Sequence, residues 1–185
     1  MSKNKRIIFY DLETTGIDPE NDEIIEIGAK DNYGNIYQKL INPNKEIPKK
    51  IEELTGITNN KIKYRNSLLQ SYNNIQEWFD FNNKNIYLIA HNGDNFDYKF
   101  LNKYFDIKCK CIDTLILFRK LLPYQRSHSI KTLCETYNID SSKHHRALED
   151  VLILEKLYNK AKELYCIIFN KKKITDKEIY EYIYN

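Results

Sequence analysis

The sequence predicts an α/β protein: one mixed five-stranded sheet that includes an antiparallel β-meander and carries helices on both faces. Three observations predict it. The N-terminal stretch holds three β-branched, apolar runs in quick succession, separated by turn residues. Segments of helical spacing follow and alternate with two further short apolar runs, giving the order βββ-α-β-α-β-α. The length of 185 residues, with 42% hydrophobic and 30% charged and only 5 Gly and 4 Pro, suits one packed domain and excludes collagen-like, low-complexity and wholly disordered chains.

Residues 6–12 contain Ile7, Ile8, Phe9 and Tyr10 and run into a turn at Thr15-Gly16, as a central strand does. Residues 23–29 present Ile24, Ile25 and Ile27, and 35–41 repeat the strand pattern after the Asn32-Tyr33-Gly34 turn, which completes the meander. Pro48 opens a short helix through Leu54 that Gly56 ends. Residues 67–81 carry Leu68, Leu69, Tyr72, Ile75, Trp78 and Phe79 at helical spacing. Next come a buried strand at 86–90, a helix at 96–105, a short strand at 110–113, and helices at 114–122 and 129–137. The longest helix is expected at 146–169, and beyond the lysines at 171–173 a last one at 176–184. Residues 1–170 should therefore form the domain and 171–185 a basic, helical tail. Ile174, Ile179, Tyr180, Tyr182 and Ile183 make that tail too apolar to hang free, so it should dock on the domain or on a partner.

No apolar run approaches the roughly 18 residues of a spanning helix, and the four apolar residues in the run before Asp11 are too few for a signal-peptide core. A soluble, intracellular chain, cytoplasmic or nuclear and without a membrane partner, is expected. Cys109, Cys111, Cys134 and Cys166 lack CxxC spacing and nearby His partners, and read as reduced, packed thiols. A net charge of +3 is too mild to establish nucleic-acid binding on its own.

The carboxylates are more informative. Asp11 and Glu13 leave one face of a strand about 7 Å apart, at the strand end where open α/β sheets bind ligands. A solvated strand end is the plainer reading. Asp150 lies about 60° from the centre of the buried stripe of its helix, so it needs a partner or a proton. Arg146, one turn earlier, could be that partner. Asp97 stands in the first turn of a helix, where it also suits the helix dipole. If the strands at 6–12 and 86–90 are neighbours, Asp97 joins Asp11 and Glu13 at one edge. Carboxylates this close repel by roughly 4 kcal/mol per closest pair at an effective dielectric near 20, so cations must sit among them. Oxygen ligands without Cys or His suit Mg²⁺ or Mn²⁺, and two such ions form the clamp used for phosphoryl displacement by water.

Asp11-Leu12-Glu13-Thr14-Thr15-Gly16, His91-Asn92-Gly93-Asp94-Asn95-Phe96-Asp97 and His145-Arg146-Ala147-Leu148-Glu149-Asp150 resemble, in order and spacing, the three motifs of the DEDDh 3′–5′ exonucleases. This family includes proofreading subunits and domains of bacterial replicative polymerases, ribonuclease T and oligoribonuclease. The similarity spans about residues 7–160. It implies a ribonuclease-H-like fold, Asp11, Glu13, Asp97 and Asp150 as ligands of two Mg²⁺ or Mn²⁺ ions, and His145 as the general base. Thr14, Thr15, Gly16 and Asn92 then match positions beside the terminal nucleotide, and Leu12 and Phe96 apolar positions near its base and sugar. A simple turn for 14–16 and a core role for Phe96 stand beside these assignments.

The implied activity is metal-dependent hydrolysis from the 3′ ends of DNA, single-stranded or frayed, releasing nucleoside 5′-monophosphates. An exoribonuclease and a non-catalytic nucleic-acid-binding module are the alternatives. The implied partner is nucleic acid with a free 3′ end, with a polymerase or a second copy of the chain engaging the tail. Thr55 stands where many members have His, and the Thr-Gly-Ile-Thr run at 55–58 is similar to the proofreading domain of Gram-positive polymerases. Asp94 departs from the usual small or neutral residue. Asp113 reads as a helix cap. Lys99, Arg119, Arg126 and Arg146 are candidates for backbone contacts or ordinary surface charges. On a continuous helix His145 would lie about 140° from Asp150, so it is expected on the preceding loop, as is His144.

Overall fold

The structure is a computed structural model and describes residues 5–141 and 146–185. Three antiparallel strands, β1 (Ile7–Thr14), β2 (Ile24–Asp31) and β3 (Ile36–Leu40), form the meander. Strands β4 (Tyr87–Ala90) and β5 (Lys110–Asp113) add in parallel on the other side of β1, giving the order β3-β2-β1-β4-β5. The expected mixed five-stranded sheet is therefore present, with β1 at its centre. β1 runs two residues beyond its apolar stretch because Glu13 and Thr14 still pair with β2, and the register slips between them, so that β2 bulges at this end.

Alternation along β1 sorts the two cores. Ile8, Tyr10 and Leu12 face one cluster, under α3 (Leu68–Phe79) and α4 (Asp97–Asn102). Phe9 faces the other, shared by α5 (Thr114–Leu121), α6 (Ile130–Tyr137), α7 (Ala147–Ile168) and α8 (Asp176–Tyr184). Helices thus cover both faces. The caps follow local chemistry: Ser67 and Thr175 each close a capping box, and Gly56 ends α1 (Lys49–Thr55) with a positive φ of 67°. One element escaped the sequence reading, the single turn α2 (Asn59–Ile62), which is too short to show periodicity.

Helix α8 lies against β5 and α5, with Ile174, Ile179 and Ile183 buried in the same cluster as α7. The apolar side of the tail therefore meets the chain's own core. Among the described residues no helix is long and apolar enough to cross a membrane, and all four cysteines are free thiols.

Candidate active site

Asp11, Glu13 and Asp150 meet beside the far end of β1, with one carboxylate oxygen of each within 4.8 Å of the others. Asp11 and Glu13 share the sheet face that α7 covers, as strand alternation requires, and Asp150 sits in the first turn of α7, 4% exposed. Asp97 joins from the other flank. It is 3% exposed, and its Oδ1 accepts the backbone N–H of Leu12 at 3.1 Å. It does not belong to the 4.8 Å group, yet after burial its charge is the strongest of those that raise the Asp11 pKa well above the ordinary range, ahead of Asp150, Glu13 and Glu26. Asp97 itself is raised to about 8, first by burial and then by Asp113 and Glu13, against the backbone hydrogen bonds that lower it. These are carboxylates that resist ionising together. An all-oxygen set of this kind fits hard divalent cations.

The site depends on where α7 begins. Glu26, fully buried on β2 and paired across the sheet with Glu13, accepts from Arg146 Nε at 3.1 Å and Nη2 at 2.8 Å, from the Ala147 backbone N–H at 3.2 Å, and from Gln38 Nε2 at 3.0 Å. Arg146 has no capping side chain to offer, so Glu26 supplies the helix N-terminus with its anion. Arg146 is thereby committed to Glu26, not to Asp150 as one sequence reading had it. Next to Glu26 on the strand, Gly28 leaves room for the helix: a Cβ there would stand 2.4 Å from the Ala147 carbonyl carbon. Neither Glu26 nor Gly28 was singled out from the sequence. Their signal, a charged residue and a glycine inside a strongly apolar strand, was visible but had no partner to give it meaning.

The loop before α4 is held from β5. Asp113 caps α5 through the Leu115 N–H at 2.8 Å, as expected, and also accepts from the Asn92 N–H at 2.9 Å and the Asp94 N–H at 3.3 Å. Asn92 takes a positive φ of 62°, which Asn tolerates better than most residues. Asp94 accepts from the Tyr184 hydroxyl at 2.8 Å, tying this loop to α8.

A family model described as exonuclease, of the ribonuclease T type, matches residues 8–158. The chain belongs to the DEDDh family of 3′–5′ exonucleases. It is 37% identical over 166 residues to a PolC-type DNA polymerase III of Thermotoga petrophila, covering 84% of this chain and 12% of that protein. The PolC-type DNA polymerase III of Bacillus subtilis is 35% identical over 154 residues, 77% of this chain and 10% of that one. The chain thus spans about a tenth of the length of these curated relatives. Escherichia coli Exonuclease I in complex with a dT13 oligonucleotide superposes with a TM-score of 0.76 at 17% identity, covering 90% of this chain and 43% of that one. Exonuclease X in complex with 5′ overhanging duplex DNA gives 0.67 at 22% identity, covering 95% of this chain and 98% of that one. These likenesses place the fold among ribonuclease-H-like exonucleases.

The remaining members of the family's motifs are tied into the fold to different degrees. Thr14 is buried, its hydroxyl donating to the Gly16 carbonyl at 2.5 Å, and the part-buried Phe96 ring lies 5.0 Å from that of Phe100. Leu12 and Thr15 are inside the fold: Leu12 lies on the sheet face away from Asp11, and the Thr15 hydroxyl donates to Asp22 at 2.9 Å. Thr55 is also buried, its hydroxyl donating to the Ile51 carbonyl and accepting from the Ile57 N–H at the end of α1. Lys99, Arg119 and Arg126 are exposed on α4, on α5 and on the loop after it. His144 and His145 lie outside the described residues.

Proposed function

We propose that the chain is a two-metal-ion 3′–5′ exonuclease that shortens DNA from its 3′ end, single-stranded or frayed, and releases nucleoside 5′-monophosphates. The convergence of Asp11, Glu13 and Asp150 within 4.8 Å carries this reading. Two Mg²⁺ or Mn²⁺ ions held there would polarise the scissile phosphate and balance charge on the entering and departing oxygens.

The chain's own groups do the rest. Asp11 and Glu13 from β1, Asp150 from α7 and Asp97 from α4 would hold the cations. His145, the residue before Arg146, takes the proton of the attacking water, and the Glu26–Arg146 fork anchors the chain next to it. Thr14, Gly16 and Asn92 border the terminal nucleotide, with Phe96 as the apolar support for its base and sugar. Leu12 and Thr15, buried in the fold, shape the strand end beneath it without touching the substrate.

The likeness to PolC-type polymerases supports a proofreading-like role inside the cell, with a polymerase as partner. A 5′-labelled single-stranded DNA, a mismatched duplex and an RNA of the same sequence, each incubated with Mg²⁺ or Mn²⁺, test the proposal. A ladder receding from the 3′ end of DNA is expected. Degradation confined to RNA would establish the exoribonuclease instead, and binding without a ladder would leave a non-catalytic nucleic-acid module.

A further inference from the structure

We infer that a groove on the β3 side of the carboxylates is the binding site for the upstream strand of the nucleic acid, the part that remains after each cleavage. The inference rests on the exonuclease reading and adds to it where the rest of the substrate lies. The groove encloses about 490 Å³ and is walled by Glu26, Gln38 and Leu40 of the meander, by Tyr64 and Arg65, and by Arg146. That volume is within the range of built ligand sites, roughly 300–1,000 Å³.

Position comes first. β1 is the central strand, and Glu13 pairs with Glu26, which pairs in turn with Leu40. The groove is therefore the direct continuation of the carboxylate row across the meander. Asp97 and Phe96 stand on the opposite flank, towards β4. A phosphodiester cleaved between these flanks has its terminal nucleoside on one side and its remaining strand on the other.

Charge comes second. The carboxylates repel a polyanion, and Glu26 would too were it not fully engaged by four donors from Arg146, Ala147 and Gln38. Arg146 and Glu26 neutralise one another, so among the described residues Arg65 brings the groove an unpaired positive charge. Tyr64 adds an aromatic face that is 88% exposed, a poor arrangement for folding and a good one for stacking a base. The segment bearing Tyr64 and Arg65 is not a free loop. The Asn42 N–H donates to the Asn66 carbonyl at 3.0 Å and the Asn42 amide to the Lys63 carbonyl at 3.2 Å, pinning it to the sheet.

The test compares two substrates with and without an upstream strand: a long single-stranded oligonucleotide and the p-nitrophenyl ester of thymidine 5′-monophosphate. Tyr64→Ala and Arg65→Ala should each raise KM for the oligonucleotide by about tenfold while leaving the ester unchanged. Arg65→Ala should also lower the salt dependence of oligonucleotide binding by about one phosphate contact. Tyr64→Phe keeps the ring and should behave as the unaltered protein. Equal effects on both substrates, or none on the oligonucleotide, would overturn the groove while the exonuclease reading stood. Failure of the unaltered protein to hydrolyse either substrate would overturn both. Both side chains are exposed, and an unchanged melting temperature shows that the fold is intact.

Discussion

At the residue scale the clustered carboxylates oppose one another's ionisation. Asp11→Asn, Asp97→Asn and Asp150→Asn should each lower turnover about a thousandfold or more, equivalent to roughly 4 kcal/mol of lost transition-state stabilisation. The same changes should leave the protein folded and raise its melting temperature in EDTA, because each removes one repelling charge. Near-unaltered turnover would take that residue out of the site. The pH dependence follows from the direction of the shifts. Asp11 and Asp97 are raised in the folded chain, Asp97 to about 8. Their protonated forms therefore favour folding most fully below the unfolded value of about 3.9, and that contribution fades as pH rises through the folded value. In EDTA the melting temperature should fall from about pH 4 to pH 8, Asp97→Asn should flatten the slope, and Mg²⁺ should flatten it further. A slope identical in Asp97→Asn would show that this carboxyl does not titrate there. His145→Ala should lose most of the rate while still binding metal and strand ends, whereas His144→Ala should stay active; the reverse order would move the base to His144.

At the scale of elements, the start of α7 is the joint on which the site turns. Gly28→Ala forces a methyl group into the Ala147 backbone at 2.4 Å, so the helix must lift and carry Asp150 with it. Overpacking of this kind costs about 1–3 kcal/mol, and turnover should fall further than that loss of stability explains. Denaturant titration beside kinetics checks this, and full activity in a destabilised variant would show that Asp150 keeps its place. Glu26→Gln retains the shape but removes the charge that caps α7 and neutralises Arg146. It should destabilise by roughly 1–3 kcal/mol, with the part-exposed guanidinium recovering some of the loss from water.

At the scale of the whole molecule, the C-terminal helix closes the core on one face. Burying Ile174, Ile179 and Ile183 contributes about 1.5–3 kcal/mol each as an upper estimate, which approaches the total stability of a domain. A chain ending at Asn170 should therefore melt far lower than the full chain. Every proposed catalytic residue precedes that point, so soluble truncated protein should still show the 3′ ladder. Complete inactivity in a truncated chain that remains folded would mean that Tyr184, through Asp94, also holds the loop before α4.

The sequence by itself determined most elements and the chemistry of the site. β-branched runs, capping residues and helical spacing act over a few neighbours, so β5 and α8 were located to the residue, and the three motifs named Asp11, Glu13, Asp97 and Asp150 before any contact was known. Local signals also marked Asp113 as a cap, although its second task, holding the loop at 91–97, required β5 to lie beside β4. Only tertiary structure decided which face Leu12 occupies, why β2 needs a glycine at 28, and that Arg146 belongs to Glu26. Each of those depends on a partner far away in sequence: Glu26 and Arg146 are 120 positions apart. A single buried carboxylate reads as an anomaly in one dimension. It becomes a cap, a counter-ion and the floor of a groove only when folding brings its donors to it, because electrostatic and packing energies depend on distance in space and not along the chain.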